Sequence, residues 1–303
     1  MRAVVIKCTG SWYLVKNSNQ IYKCRAQGKF RIRNIKSTNP IVVGDIVDIS
    51  KEKESWMITK IHPRKNYILR KSVNLSKQTH IIASNIDQAL LMVTVKYPVT
   101  TTSFIDRFLA TTVAYGIPTI IVFNKLDIYN SKEIKTQSAL EKIYSNIGYN
   151  CFALSVLHDS LDKLVSIMKG KITLISGHSG VGKSTLINQL QPGLYLETQE
   201  ISEKHETGKH TTTFSTMHDM NFGGSIIDTP GIKGFGLVDI TKEELGDYFV
   251  DFVDLKKGCK FNDCIHVNEP ECAVKELVKN GSIAKSRYEN YLQMMTDDIY
   301  RKV

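Results

Sequence analysis

The sequence predicts a multidomain α/β chain: a small N-terminal barrel, then a strand–helix domain, then a C-terminal helical module. Three observations carry that expectation. The first 61 residues break into five short segments rich in Val, Ile, Tyr and Trp, split by turn residues. From residue 88 onward, apolar runs of strand length alternate with amphipathic stretches of helical period. Three of the six cysteines then fall within 14 residues, at Cys259, Cys264 and Cys272. A chain of 303 residues has room for two or three domains, and boundaries are expected at 1–70, 71–237 and 238–303.

In the first region strands are expected at 3–8, 12–16, 21–25, 45–50 and 56–61, divided by Thr9-Gly10, Asn17-Ser18-Asn19, Gln27-Gly28 and Asn39-Pro40. Five short strands in this length suit an OB-type barrel, and an SH3-like barrel would give much the same pattern. Between the third and fourth strands Lys29, Arg31 and Arg33 offer cations to phosphates, while Phe30 is read as core. Residues 62–77 read as a basic connector. Beyond it, strands are expected at 88–95, 119–123, 151–154, 171–176 and 225–227, and helices at 103–115, 132–147, 160–168 and 183–190. Such alternation implies a mostly parallel sheet covered on both faces. The pattern is helical again at 243–249, 273–280 and 284–295.

The net charge of +10 is unevenly placed. Residues 1–80 hold 17 Lys and Arg against 4 Asp and Glu, whereas the remainder hold 23 against 26. That asymmetry points to a polyanion-binding module in the barrel and connector. A composition 42% hydrophobic and 23% charged excludes a disordered chain. The N-terminus lacks the apolar core and cleavage site of a signal peptide, and no apolar run approaches the roughly 18–20 residues that span a bilayer. A cytoplasmic monomer with no membrane partner and with reduced thiols is therefore expected. Cys8, Cys24 and Cys151 lie in strand patterns and read as core.

The strongest chemical signal is Gly177-His178-Ser179-Gly180-Val181-Gly182-Lys183-Ser184-Thr185. A G-x-x-x-x-G-K-S run between a strand and a helix turns successive N–H groups inward around phosphates, and the helix N-terminus adds positive potential. Lys183 is expected on the β- and γ-phosphates and the Ser184 hydroxyl on Mg²⁺. About 45 residues downstream, Asp228-Thr229-Pro230-Gly231 supplies a carboxylate for the Mg²⁺ shell and an amide that senses the γ-phosphate. Between the two lies Gly208-Lys209-His210-Thr211-Thr212-Thr213, with Thr212 a candidate Mg²⁺ ligand. Upstream, Asn124-Lys125-Leu126-Asp127 follows a buried strand, and Ser155 follows the next. Asp127 can accept from both donors on the guanine edge, a polarity that adenine lacks, so the pattern selects guanine.

The order of these motifs is unusual. In Ras-like enzymes the phosphate loop comes first and N-K-x-D last; here the reverse holds, which is a circular permutation of the G domain. Where a water-positioning Gln would follow the D-x-x-G, the chain has Ile232, so slow intrinsic hydrolysis is expected, with His210 the candidate to place the water. Near the C-terminus, Cys259-x4-Cys264-x-His266-x5-Cys272 supplies three thiolates and an imidazole, a closed donor set for one structural zinc.

Small barrel, permuted G domain and Cys3His module together resemble the bacterial small-ribosomal-subunit biogenesis GTPase family (RsgA, also called YjeQ) over essentially the whole chain. The family's Cys-x4-Cys-x-His-x5-Cys, Asn-Lys-x-Asp and Gly-x-Ser-Gly-Val-Gly-Lys-Ser motifs fall on residues 259–272, 124–127 and 177–184, and its Gly-Arg-His-Thr-Thr segment on 208–212, with Lys209 in place of Arg. The resemblance implies GTP hydrolysis to GDP and phosphate stimulated by the 30S subunit, rRNA binding through the barrel, and a role late in subunit maturation. Two other classes deserve separation. Asn124 to Asp127 argue against a P-loop kinase or ATPase. A nucleotide-gated RNA-binding protein with little turnover would be distinguished by multiple-turnover phosphate release.

Overall fold

The computed structural model describes residues 1–27, 40–71, 79–194, 215–228 and 240–296. The chain opens with β1 (Arg2–Thr9), β2 (Trp12–Asn17), β3 (Gln20–Ala26), β4 (Ile46–Glu52) and β5 (Ser55–Ile61). Side chains alternate along them, so Ala3 and Val5, Tyr13 and Val15, Val47 and Ile49, and Ile58 meet in one buried core. The pairing order is β1-β2-β3-β5-β4, closed by β1 against β4, with β3 and β5 parallel and every other pair antiparallel. This closure decides for the OB-type barrel over the SH3-like one. The Lys29–Arg33 stretch lies outside the described residues.

The connector is not a simple linker. Part of it forms β6 (Tyr67–Lys71), which pairs antiparallel with β7 (Thr79–Ser84). Ile68 and Leu69 are buried, and that apolar pair drives a strand which the surrounding cations disguise in the sequence. The barrel is fastened to this hairpin through Asp45, whose buried carboxylate accepts from Arg64 Nε at 2.6 Å, the Ser84 hydroxyl at 2.6 Å and the Val42 N–H at 2.9 Å. Gly44, at φ +92°, approaches the Ser84 carbonyl so closely that a Cβ would sit 2.0 Å from its oxygen.

The larger domain runs β8 (Gln88–Val93), α1 (Thr102–Ala114), β9 (Thr119–Phe123), α2 (Ser131–Asn146), β10 (Asn150–Ala153), α3 (Asp162–Met168), β11 (Ile172–Ser176), α4 (Lys183–Leu190), β12 (Thr216–Met220) and β13 (Gly224–Asp228). Its strands are ordered β10-β9-β8-β11-β13-β12; the first five are parallel and β12 is antiparallel. α1 and α2 cover one face through Phe108, Leu109 and Tyr144. α3 and α4 cover the other through Leu164, Met168, Leu186 and Ile187. Both faces are thus covered, as the near-continuous apolar runs require. The strand β12 is unexpected from its polar sequence Thr-Met-His-Asp-Met. It is held by β13 on one side and meets β1 on the other, at Lys7 opposite Thr216, with an ion pair from Lys16 to Asp219. Barrel and G-domain strands therefore form one 11-stranded sheet.

The helix expected at 243–249 is only a 3₁₀ turn over Leu245–Tyr248, because Phe249 is extended at φ −98° and ψ 101° and redirects the chain. α5 (Val250–Val253), α6 (Ala273–Lys279) and α7 (Lys285–Thr296) follow. Phe249, Phe252, Tyr291 and Met294 form the core of this module, and Ala110 of α1 joins it. No helix among the described residues is long and apolar enough to cross a membrane.

Candidate functional site

The permuted motifs converge at the carboxyl ends of the parallel strands, where sheets of this class hold ligands. β11 ends at Ser176, the chain turns through residues 177–182, and α4 begins at Lys183. A Cβ on Gly177 (φ +144°) would lie 2.6 Å from the Met92 carbonyl oxygen, and one on Gly182 (φ +102°) 2.4 Å from Asn124 Nδ2. Only glycine lets the loop pass this close to its neighbours. Lys183 Nζ donates to the Gly177 and His178 carbonyls, both at 2.8 Å, which lays the ammonium across the loop. Burial pulls the Lys183 pKa down while Asp228 opposes that shift; burial likewise pushes Asp228 up while Lys183 opposes it. A half-buried cation and carboxylate influencing one another at the start of a helix suit a phosphate–metal ligand. Ser184 and Thr185 occupy the first turn of α4, Val181 is buried, and the His178 ring packs on Phe104 of α1 with centroids 4.0 Å apart.

Asn124 is 3% exposed and works as a clasp. Its Nδ2 donates to the Val181 carbonyl at 2.9 Å, and its Oδ1 accepts from the Val156 N–H at 3.0 Å. The phosphate loop and the loop carrying Ser155 are thereby tied to one residue. Lys125 adopts the left-handed conformation (φ +71°), and its Nζ donates to the Tyr97 carbonyl at 2.5 Å. Burial lowers the Lys125 pKa, with Asp127 opposing. Leu126 and Asp127 lie in a 3₁₀ turn, with the Asp127 carboxylate partly open and 4.0 Å from His158 Nε2. The Ser155 N–H donates to Asp159 at 2.7 Å, fixing that loop. An acceptor carboxylate beside a lysine stem, near a phosphate loop, is the geometry that a guanine base requires.

The structure thus brings together Asn124 to Asp127, Ser155, Gly177 to Thr185 and Asp228. Residues 208–213, with His210 and Thr212, lie outside the described residues, as do Gly231 and Ile232. Sequence reasoning paired Val156 with Ser155 but missed the supports Tyr129 and Asp159, for which proximity to a motif was the only signal.

The second site is the cysteine cluster. Ligand atoms of Cys259, Cys264, His266 and Cys272 all lie within 4.8 Å of one another. His266 Nδ1 is 3.6, 3.4 and 3.3 Å from the sulfurs of Cys259, Cys264 and Cys272, and Cys259 and Cys272 sulfurs are 3.9 Å apart. Zn–S bonds of about 2.3 Å and Zn–N bonds of about 2.0 Å arranged tetrahedrally demand edges of roughly 3.5–3.8 Å. The donor set therefore fits one zinc ion. Supporting bonds fix the loop: the Glu269 carboxylate accepts from the Ile265 and Val267 N–H groups, and the Tyr288 and Tyr291 hydroxyls donate to the His266 and Ile265 carbonyls. The remaining cysteines are inert by contrast. Burial pushes the Cys8 thiol up to about 12, Cys24 to about 11 and Cys151 to about 12.

The module bearing that cluster is anchored to the G domain by charge. Arg287 of α7, 2% exposed, donates to Asp106 of α1 at 2.6 Å and to both oxygens of Asp251, through Nε at 2.9 Å and a terminal nitrogen at 2.5 Å. Asp106 also accepts from Asn290 at 2.6 Å and the Tyr144 hydroxyl at 3.0 Å.

Comparison with known proteins agrees with this geometry. A family model described as RsgA GTPase matches residues 61–238, and one described as RsgA N-terminal domain matches residues 4–56. The chain is 53% identical to the protein named small ribosomal subunit biogenesis GTPase RsgA from Flavobacterium psychrophilum, over 99% of this chain and 95% of that one. It is 51% identical to the protein of the same name from Bacteroides fragilis, over 98% and 97%. Among solved structures, YjeQ from Thermotoga maritima superposes with a TM-score of 0.79 at 37% identity, covering 97% of this chain and 96% of that one. YloQ, described as a circularly permuted GTPase, superposes with a TM-score of 0.73 at 31% identity, covering 100% and 96%. The chain belongs to the RsgA GTPase family, and is a GTP-hydrolysing enzyme on a circularly permuted G domain joined to an OB-type barrel.

Proposed function

We propose that this protein is a nucleotide-dependent switch in late maturation of the small ribosomal subunit, working in the cytoplasm as a monomer that binds 30S rRNA. The observation that carries this reading is near-complete coverage of relatives bearing that name, combined with a guanine clasp at Asn124. Lys183 would hold the β- and γ-phosphates, Ser184 and Thr212 the Mg²⁺ ion, and Asp228 that ion through water. Asp127, with Asn124, Lys125 and Ser155, would read the base. One structural zinc would sit on Cys259, Cys264, His266 and Cys272.

The labour is divided by region: 1–70 for RNA, 71–237 for nucleotide and 238–303 for the metal. The outer face of β2 and β3 supports the first assignment. There the Trp12 ring has Arg25 4.3 Å and Lys23 4.5 Å from its centroid, offering a π-face and two cations on the strands by which OB barrels take oligonucleotides. With Ile232 in the usual Gln place, the site depends on its partner to complete it, and His210 is the candidate that places the water.

Purified 30S subunits should therefore raise GTP turnover many-fold over the protein alone, measured as phosphate release. Equal rates with and without subunits would refute the reading. Asp127→Asn, which turns one acceptor into a donor, should weaken GTP about 10- to 100-fold and improve binding of XTP, whose 2-oxo group accepts where guanine donates. Competition binding measures both.

A further inference from the structure

We propose that Tyr129 is a positioning residue that sets guanine recognition, acting through the Asn124–Lys125 peptide. It stands two residues beyond Asp127, half-buried, with its hydroxyl between two loops. That hydroxyl donates to the Asn124 carbonyl at 2.7 Å and accepts from the Val95 N–H at 3.0 Å. Both of its main hydrogen-bonding directions are used, and neither partner is a side chain. The ring thus locks backbone to backbone.

The consequence follows from what that backbone must do. Lys125 is held at φ +71°, a left-handed region that is strained for an L residue and needs outside support. The Asn124 carbonyl is one end of the peptide that leads into this strained residue. Fixing it fixes the plane from which Lys125 and Asp127 depart. The partner loop is itself secured at three points: the Asn124 N–H donates to the Val93 carbonyl at 2.9 Å, Lys125 Nζ to the Tyr97 carbonyl at 2.5 Å, and Lys96 pairs with Glu133 at 2.7 Å. Tyr129 adds the hydroxyl link between the two loops. The proposal rests on the reading of Asp127 as the guanine acceptor and adds to it what aims that carboxylate.

Tyr129→Phe keeps the ring and removes both bonds. Displacement of a fluorescent GDP by GDP and by IDP, whose base lacks the 2-amino group, reads the outcome. The wild type should favour GDP; the variant should bind GDP about tenfold more weakly and lose most of its preference over IDP. A general loosening would weaken both nucleotides alike, so an unchanged GDP-to-IDP ratio overturns the proposal even if affinity falls. Asn130→Ala, which removes the adjacent cap of α2, should leave the ratio intact, and a ratio shift equal to that of Tyr129→Phe also overturns it. Wild-type protein that does not distinguish GDP from IDP would instead refute the guanine reading itself. Independently of any substitution, the fluorine resonance of 3-fluorotyrosine at position 129 should differ between GDP- and IDP-loaded protein, and identical resonances count against the proposal.

Discussion

Removing the metal, by chelation or by Cys264→Ser, should unfold the C-terminal module while leaving the barrel folded. A structural zinc contributes on the order of 10–16 kcal/mol to folding of a small domain, as much as the whole stability of many proteins. The module has little to offset that loss. Two of its three helices are short, α5 with 4 residues and α6 with 7, and its core is one cluster around Phe249, Phe252 and Tyr291. Cys264 and Cys272 are buried, and without a cation burial pushes both thiols up, Cys264 to about 12, so these two sulfurs need the metal to be thiolates. A partial fall in near-ultraviolet dichroism, from the module's Phe and Tyr residues, together with one equivalent of released zinc is the expected result, while Trp12 and Trp56 of the barrel keep their signal. An unchanged spectrum after complete metal loss would contradict it.

Arg287→Met should be the most damaging single substitution away from the metal, costing about 3–5 kcal/mol of stability. The methionine fills much of the arginine volume, but it leaves Asp106 and Asp251 facing each other without a cation. Asp106 is 1% exposed and cannot recover its solvation by reaching water. The guanidinium also lies over Phe249, 4.9 Å from the ring centroid, and that contact is lost too. Replacing Asp106, Asp251 and Arg287 together with apolar residues should cost far less than Arg287→Met alone, since no charge would then be stranded. Denaturant titration of the single and triple variants tests the difference.

How far the sequence could be read depended on the range of each interaction. The phosphate loop and the start of α4 at Lys183 were legible because a strand, three glycines and a helix are contiguous. Cys259 to Cys272 was legible for the same reason: its ligand spacing is local. β6 was hidden because Arg64, Lys65, Arg70 and Lys71 flank the apolar pair that forms it. β12 was hidden because its polar sequence is held by neighbours on both sides rather than by its own propensity. Asp106 and Arg287 are 181 residues apart, and no period or spacing announces such a contact. Tyr129 sits in plain view beside a motif, but its role depends on where Val95 comes to lie.

The helix α1 is a party wall. One side of it carries Ile105, Phe108 and Leu109 into the core beneath the G-domain sheet. Its other side gives Ala110 to the core of the metal-bearing module and Asp106 to Arg287. Neither core is complete without it. Melting should accordingly be cooperative across that boundary, with both compartments losing protection when α1 opens, whereas the barrel has a core of its own and meets the rest along β1, at β12 and through Asp45. A chain assembled from recognisably separate modules therefore has fewer independent folding units than its domains suggest.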